Sequence, residues 1–205
     1  GQGLIFVALN SEVIGAFAAE DSIKPHAFDA IASLQGFGLR TVMLTGDSLP
    51  VAQKVGAALG IDDIRASLLP ADKAAAMDTL PKPIAFVGDG INDAPALARA
   101  DVGISMGTGT DVAIEAGDVV LVSGDLRGVA RAIGLSRAVM RNIRQNLIWA
   151  FGYNAALIPV AMGALVPFGG PALSPMLGAG AMAASSIFVL GNALRLRRYG
   201  AKDAA

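Results

Sequence analysis

Cysteine is missing from this sequence of 205 residues, and histidine occurs once, at His26. The first absence excludes a disulfide scaffold, and a single imidazole cannot build a metal site. Basic surplus is missing too. Lys+Arg 16 against Asp+Glu 17 gives a net charge of -1, which excludes a basic nucleic-acid binder. A hydrophobic share of 54% against 16% charged excludes a disordered chain, and the length fits one or two domains. The most telling absence is local: no Asp, Glu, Lys or Arg occurs from Gln145 to Leu194.

Residues 1–144 are acidic, whereas the last residues carry Arg195, Arg197, Arg198 and Lys202 against a single Asp. The chain therefore divides into an acidic, water-facing part and an apolar part. A membrane-crossing helix needs about 20 apolar residues, so the uncharged run is long enough for two crossings and a turn. The turn is Val166-Pro167-Phe168-Gly169-Gly170-Pro171-Ala172-Leu173-Ser174-Pro175, which breaks helix on both sides. Spans are expected at about Leu147 to Val166 and Met176 to Leu194. Arg137, Arg141 and Arg144 precede the first, and the terminal basic cluster follows the second, so both ends and the acidic domain should face the cytoplasm. A buried soluble hairpin would show a polar stripe at helical period, and none is present. Trp149 and Tyr153 mark the membrane interface. Gly1 to Leu9 has no basic start, long apolar stretch or cleavage site, so no signal peptide is expected.

The first 144 residues alternate short β-rich runs with amphipathic stretches, the pattern of βα units around a parallel sheet. Leu4 to Leu9 and Val13 to Ala18 flank Asn10-Ser11-Glu12 as a hairpin. Helices are expected at 24–35, 49–59, 71–80 and from about Asp125 onward, the last continuing into the first span. Strands are expected at 39–44, 64–66, 84–87, 102–104 and 119–122. In such sheets ligands sit at the carboxyl ends of strands. The polar motifs fall there: Thr45-Gly46-Asp47 after Leu44, and Gly88-Asp89-Gly90-Ile91-Asn92-Asp93 after Val87. Asp89 and Asp93 would repel unless a cation lay between them, and hard oxygen ligands favour Mg²⁺. Lys73, at a helix start, offers a positive charge for a phosphoryl group. Each motif alone reads equally as a capped turn, a solvated Lys or a helix N-cap. Together they supply what phosphoryl transfer needs. His26 reads as solvent-facing, and Gly107 to Thr110 as a tight loop opening a helix at Asp111.

These residues resemble the heavy-metal class of P-type ATPases, most closely the copper and silver exporters. The resemblance rests on Asp21-Ser22-Ile23-Lys24-Pro25, Met43-Leu44-Thr45-Gly46-Asp47, Pro70-Ala71-Asp72-Lys73, Val87 through Ala98 with its Gly-Asp-Gly-Ile-Asn-Asp-Ala-Pro run, Gly107 through Ala113, and Arg144-Gln145-Asn146-Leu147. It covers Gly3 to Arg198. It implies an α/β fold, a haloacid-dehalogenase-like parallel-sheet phosphorylation domain followed by a two-helix transmembrane hairpin. Residues 1–20 would close a nucleotide-binding domain, 21–136 would form the phosphorylation domain, and 137–200 the linking helix and both membrane helices.

The resemblance further implies that Thr45, Gly46, Asp47, Lys73 and Asn92 act on the phosphoryl group, that Asp89 and Asp93 hold Mg²⁺, and that Asp21 and Lys24 form the hinge toward bound ATP. The family's Asp-Lys-Thr-Gly-Thr nucleophile run is absent, as are its Cys-Pro-Cys and earlier membrane helices. The chain therefore reads as a C-terminal portion, inactive alone, of a multi-pass plasma-membrane exporter of Cu⁺ or Ag⁺. Its partners would be the missing N-terminal portion, the lipid bilayer and a cytosolic copper chaperone, with no nucleic acid. A truncated or non-pumping membrane protein, or a pump for another metal, is the alternative. A membrane-anchored phosphatase would need an Asp-x-Asp strand that is not there.

The candidate ligands inside the expected spans are Tyr153, Asn154, Met182, Ser185 and Ser186. Pro159 frees the carbonyl of Ala155, and Met182 shares a helical face with Ser186. A thioether suits a soft monovalent ion, while the absence of carboxylates speaks against Zn²⁺, Ca²⁺ or K⁺. On spacing alone these residues read equally as gap-filling Met and cross-helix hydrogen bonders. The resemblance makes Tyr153, Asn154, Met182 and Ser186 the ligands of the transported Cu⁺.

Overall fold

The structure, a computed structural model, describes residues 3–19, 22–170 and 174–199. Asp21, Lys202 and the Pro171 to Leu173 part of the expected turn lie outside the described residues. The chain divides into two compact units, Gly1–Arg131 and Ala132–Ala205.

The first unit opens with β1 (Gly3–Leu9) paired antiparallel to β2 (Glu12–Ala19). Asn10 and Ser11 turn the chain with φ of 50° and 68°, the left-handed geometry that matches strand twist in a two-residue hairpin. Helix α1 (Ala27–Gly36) begins three residues later than expected, because Pro25 and the left-handed His26 (φ 61°) turn the chain first. It buries Ala27 and Ala30, while Ile23 stays outside the helix and exposed.

Strand β3 (Val42–Leu44) is half its expected length. Thr41 instead gives both its N–H and its hydroxyl to Asp62, at 2.7 and 2.8 Å, which holds that carboxyl below its usual range. The bond anchors β3 beside β4 (Asp63–Arg65) in a parallel pair. Between them α2 (Leu49–Leu59) has the expected bounds: Pro50 suits the first turn, and Gly60 closes the helix with φ 68°. Helix α3 (Pro70–Met77) ends before Leu80, its last residues relaxing into i→i+3 turns.

Strands β5 (Ala85–Gly88), β6 (Val102–Met106) and β7 (Val119–Leu121) form a three-stranded parallel sheet in that order. The short helices α4 (Ala94–Arg99) and α5 (Asp111–Ala116) belong to its crossovers. The deepest core lies here, with Ala96, Leu97, Ile104, Ser105, Met106 and Ala113 almost without solvent contact. Helix α5 opens at Asp111, as the Gly107 to Thr110 loop led us to expect, and Thr110 caps it by accepting the Ala113 N–H. Among the described residues β3 pairs only with β4 and β5 only with β6, so each keeps one lateral edge unpaired.

The boundary between the units falls inside α6 (Arg127–Ala161), which runs without interruption toward the first expected span. Asp125 starts it, accepting the N–H and guanidinium of Arg127 at 2.7–3.2 Å; that bonding holds the carboxyl down at about 2. Helix α6 stops at Ala161 rather than Val166, because Gly163 turns left-handed (φ 86°) and Val166–Phe168 forms a separate 3-10 turn around Pro167. The helical part from Leu147 is therefore only about 22 Å long, short of a hydrocarbon core of about 30 Å. The second expected span is α7 (Pro175–Leu194). Gly178–Arg197 is the one segment among the described residues long and apolar enough to cross a membrane, at mean hydropathy 1.3 with 6% of it buried. A core helix of a soluble protein would be mostly covered; this one is not.

Candidate functional site

Three loops at the carboxyl ends of parallel strands carry the polar residues singled out above. After β3, the Thr45 hydroxyl donates to Asp47 Oδ2 at 2.8 Å and accepts the Asp47 N–H at 3.1 Å. The loop is pinned from outside by Thr45 N–H to the Arg65 carbonyl, Leu68 N–H to the Thr45 carbonyl and Ser67 N–H to the Asp47 carbonyl. Gly46 lies exposed between these anchors.

Helix α3 delivers Lys73 in its first turn. Asp72 caps that turn by accepting Leu69 N–H at 3.2 Å. The Lys73 ammonium bonds Asp93 Oδ1 at 2.8 Å, with side-chain exposures of 17% and 14%, so this is a mostly buried ion pair. After β5, the 3-10 turn Ile91–Asp93 aims Asp93 back at the strand end. A Cβ on Gly88 would lie 2.7 Å from that of Asp93, so only glycine lets the carboxylate fold back. Asn92 stays exposed.

Asp89 is half exposed and receives Lys24 Nζ at 2.9 Å. Asp89 and Asp93 thus each face a lysine, Lys24 and Lys73 respectively. Sequence reasoning did not find this pairing, since the partners are 65 and 20 residues apart. Nor did it find the support beneath Asp89. Thr110 N–H donates to the Asp89 carbonyl at 3.1 Å, and a Cβ on Gly109 would collide with that carbonyl oxygen. The Gly-Thr-Gly-Thr loop after β6 is the floor on which the Asp89 loop rests.

The donor chemistry fits Mg²⁺. No group of three or more His, Cys, Asp or Glu assembles among the described residues, but Mg²⁺ takes one or two carboxylates and completes its shell with water and phosphate oxygens. Asp89 offers an accessible hard oxygen where a cation, the Lys24 ammonium, already sits.

Comparison with known proteins decides the family. Two haloacid dehalogenase-like hydrolase families match, over residues 2–101 and 73–133. Copper-transporting ATPase 1 of Rhizobium meliloti (strain 1021) is 52% identical over 200 residues, 96% of this chain and 24% of the relative. The copper-exporting P-type ATPase of Staphylococcus aureus (strain MRSA252) is 47% identical over 201 residues, 97% and 24%. The crystal structure of a zinc-transporting PIB-type ATPase in its E2.Pi state superposes with a TM-score of 0.80 at 39% identity, over 96% of this chain and 32% of that one. The chain belongs to the heavy-metal P-type ATPases. It spans about a quarter of the length of the curated relatives it matches.

In this P-type ATPase chain the helical unit carries the second set of expected residues, and the structure does not bring all four together. Tyr153 is half-buried and faces Ala181, Ala184 and Ser185 of α7. Asn154 is exposed and donates to the Ala150 carbonyl at 2.7 Å. Met182 is 65% exposed, and the exposed Ser186 donates its hydroxyl to the Met182 carbonyl at 3.1 Å. Ser185, not Ser186, is therefore the serine in the seam with Tyr153.

Proposed function

We propose that this chain supplies the phosphate-handling shell and the last membrane helices of an ATP-driven Cu⁺ exporter that works through an aspartyl-phosphate. The observation that carries this reading is the placement of Thr45, Lys73, Asp89 and Asp93 in or just after strand-end loops, with Lys73 bonded to Asp93 and Lys24 to Asp89, in a chain that also holds an unburied apolar helix. The unpaired edges of β3 and β5 are where a strand bearing the Asp-Lys-Thr-Gly-Thr nucleophile would add, between the Thr45 loop and the Asp89 loop. That segment belongs to the longer protein.

In this mechanism the Lys73 ammonium and the Thr45 hydroxyl bind the oxygens of the transferring phosphoryl group, with the Gly46 N–H, next to Thr45 in the chain, as a further donor. These are preorganised donors for charge spread over three oxygens. Asp89, with Asn92 and Asp93 next to it, would hold Mg²⁺. When bound, Mg²⁺ supplies neutralisation of the developing phosphoryl charge. Asp93 orients Lys73. Lys24, three residues after Asp21 in the sequence, would carry a positive charge to the mouth of the site where ATP would approach.

Copper is favoured over zinc by identities of 47–52% to copper transporters against 39% to the zinc transporter of solved structure. The chemistry agrees, because Met182 is a soft ligand and no carboxylate lies between Gln145 and Leu194. Asn154, Met182 and Ser186, exposed here, would be covered in the complete transporter by a further helix bearing the remaining ligands; Ag⁺ shares this chemistry. The arginines flanking the helices support an orientation with the α/β unit in the cytoplasm, and the helices of such an exporter would lie in the plasma membrane. A cytosolic Cu⁺ chaperone is the partner that this topology calls for.

The test is metal-stimulated ATP hydrolysis by the complete transporter in membrane vesicles. Cu⁺ should stimulate, and Met182→Ala should weaken that stimulation. Stimulation by Zn²⁺ and not by Cu⁺ would refute the ion assignment.

A further inference from the structure

Three asparagines tie the helical unit together at its arginine-bearing end. Asn142 and Asn146 are one turn apart on α6 and share a face; Asn192 stands near the end of α7. Asn192 Nδ2 donates to Asn146 Oδ1 at 2.9 Å, Asn146 Nδ2 donates to Asn142 Oδ1 at 3.1 Å, and Asn142 Nδ2 donates to the Asn192 backbone carbonyl at 2.7 Å. Arg195 completes the set, giving Nη1 to Asn192 Oδ1 at 3.4 Å. Every amide in the circuit both donates and accepts. Asn142 and Asn192 are only 8% and 7% exposed.

A closed circuit of this kind exists in one alignment of the two helices. Sliding α7 by one turn moves Asn192 about 5.4 Å and breaks both cross-helix bonds. The amides would then be left unpaired in a low-dielectric seam, where an unmade hydrogen bond costs more than a made one gains. The rest of the seam discriminates poorly, because Trp149, Ala181, Ala184 and Phe188 pack apolar surface that tolerates other alignments. A single buried Asn fixes register in coiled coils by the same reasoning.

The alignment set by the circuit carries inward. Trp149, close to one turn beyond Asn146, packs on Phe188 with ring centroids 4.4 Å apart. Another turn in, Tyr153 meets Ala184 and Ser185. We propose that Asn142, Asn146 and Asn192 form a register lock that sets which residues of α7 stand opposite Tyr153 and Asn154. They are positioning residues and not ligands, since their amides are occupied by one another. The lock itself is independent of the ion; its effect on ion affinity rests on the ligand reading given above.

The test uses the complete transporter in membrane vesicles with paired cysteines and a short bismaleimide. Trp149→Cys with Phe188→Cys reports the observed register, and Gln145→Cys with Phe188→Cys reports a one-turn slip. The first pair should link and the second should not. Adding Asn146→Leu and Asn192→Leu should lower the first yield at least threefold and raise the second. Unchanged yields would overturn the lock. If the double variant fails to accumulate, Asn146→Ser alone, which keeps the Asn142 to Asn192 bond, should shift the yields in the same direction, and no shift there also overturns it. Without engineered cysteines, Asn146→Leu should raise the half-stimulating Cu⁺ concentration about tenfold, the usual scale for a support behind metal ligands, while turnover at saturating Cu⁺ holds within twofold. A fall in turnover at unchanged half-stimulating concentration would overturn the positioning role. Absence of any Cu⁺ stimulation in the wild type would defeat the ion reading and leave the cross-linking result to judge the lock.

Discussion

Replacing Lys73 by Met should destabilise the α/β unit by about 2–3 kcal/mol, and Asp93→Asn should cost nearly the same. The pair is 2.8 Å apart with exposures of 17% and 14%. At an effective dielectric of about 20 the direct attraction is roughly 6 kcal/mol, most of it offset by stripping water from both ions. Orphaning one member of a fully buried pair costs about 3–5 kcal/mol, whereas an exposed pair contributes about 0.2–1 kcal/mol. A pair that keeps about a sixth of its surface in water lies between, nearer the buried limit. The double variant leaves no orphaned charge, so it should cost about 1 kcal/mol and give a coupling of at least about 2 kcal/mol. Urea titrations of the detergent-solubilised chain, read by pulse proteolysis, measure all three costs. Additive costs, with coupling below about 0.5 kcal/mol, would refute the claim that Asp93 holds Lys73 in place.

Three further outcomes follow from the geometry. Asp125 titrates at about 2 in the folded chain against about 3.9 unfolded, so its contribution is present above about pH 4 and is lost as pH falls toward 2. With 27% of the side chain exposed, Asp125→Asn should cost about 1 kcal/mol at pH 7; thermal unfolding from pH 7 to 2 should show that gap closing, and a pH-independent gap would contradict it. Gly109→Ala should destabilise by about 1–3 kcal/mol, since the new methyl meets the backbone of Asp89 and Met106 and neither can swing away; an unchanged urea midpoint would contradict it. Lys24→Met should tighten divalent-ion binding at Asp89 by about two- to fivefold, the scale of a half-exposed ion pair; Mn²⁺ titration by electron paramagnetic resonance would read it, and weaker binding would contradict the competition.

Much of this was legible in the sequence because local signals agreed. The hairpin around Asn10-Ser11, the Pro50-to-Gly60 limits of α2 and the position of Asp89 after a strand all follow from turn residues and periodicity. The shortfalls have specific physical causes. Strand β3 lost its first residues to a Thr41–Asp62 bond between segments 21 residues apart. The first span lost its end to a left-handed Gly163, a freedom glycine permits without announcing it. Lys24 on Asp89 and Gly109 beneath it are long-range contacts, which periodicity cannot see. In the helical unit, spacing put Met182 and Ser186 on one face correctly, yet which α7 residues meet Tyr153 depends on cross-helix contacts such as Asn146 with Asn192 and Trp149 with Phe188, and those residues include Ser185.

The most direct measurement of the central claim is ATP-driven uptake of Cu⁺ into inverted vesicles carrying the complete transporter, compared with its Asp89→Asn variant. The account predicts ATP-dependent accumulation in the wild type and its loss in the variant at equal protein abundance. Accumulation by the Asp89→Asn protein at the wild-type rate would contradict it.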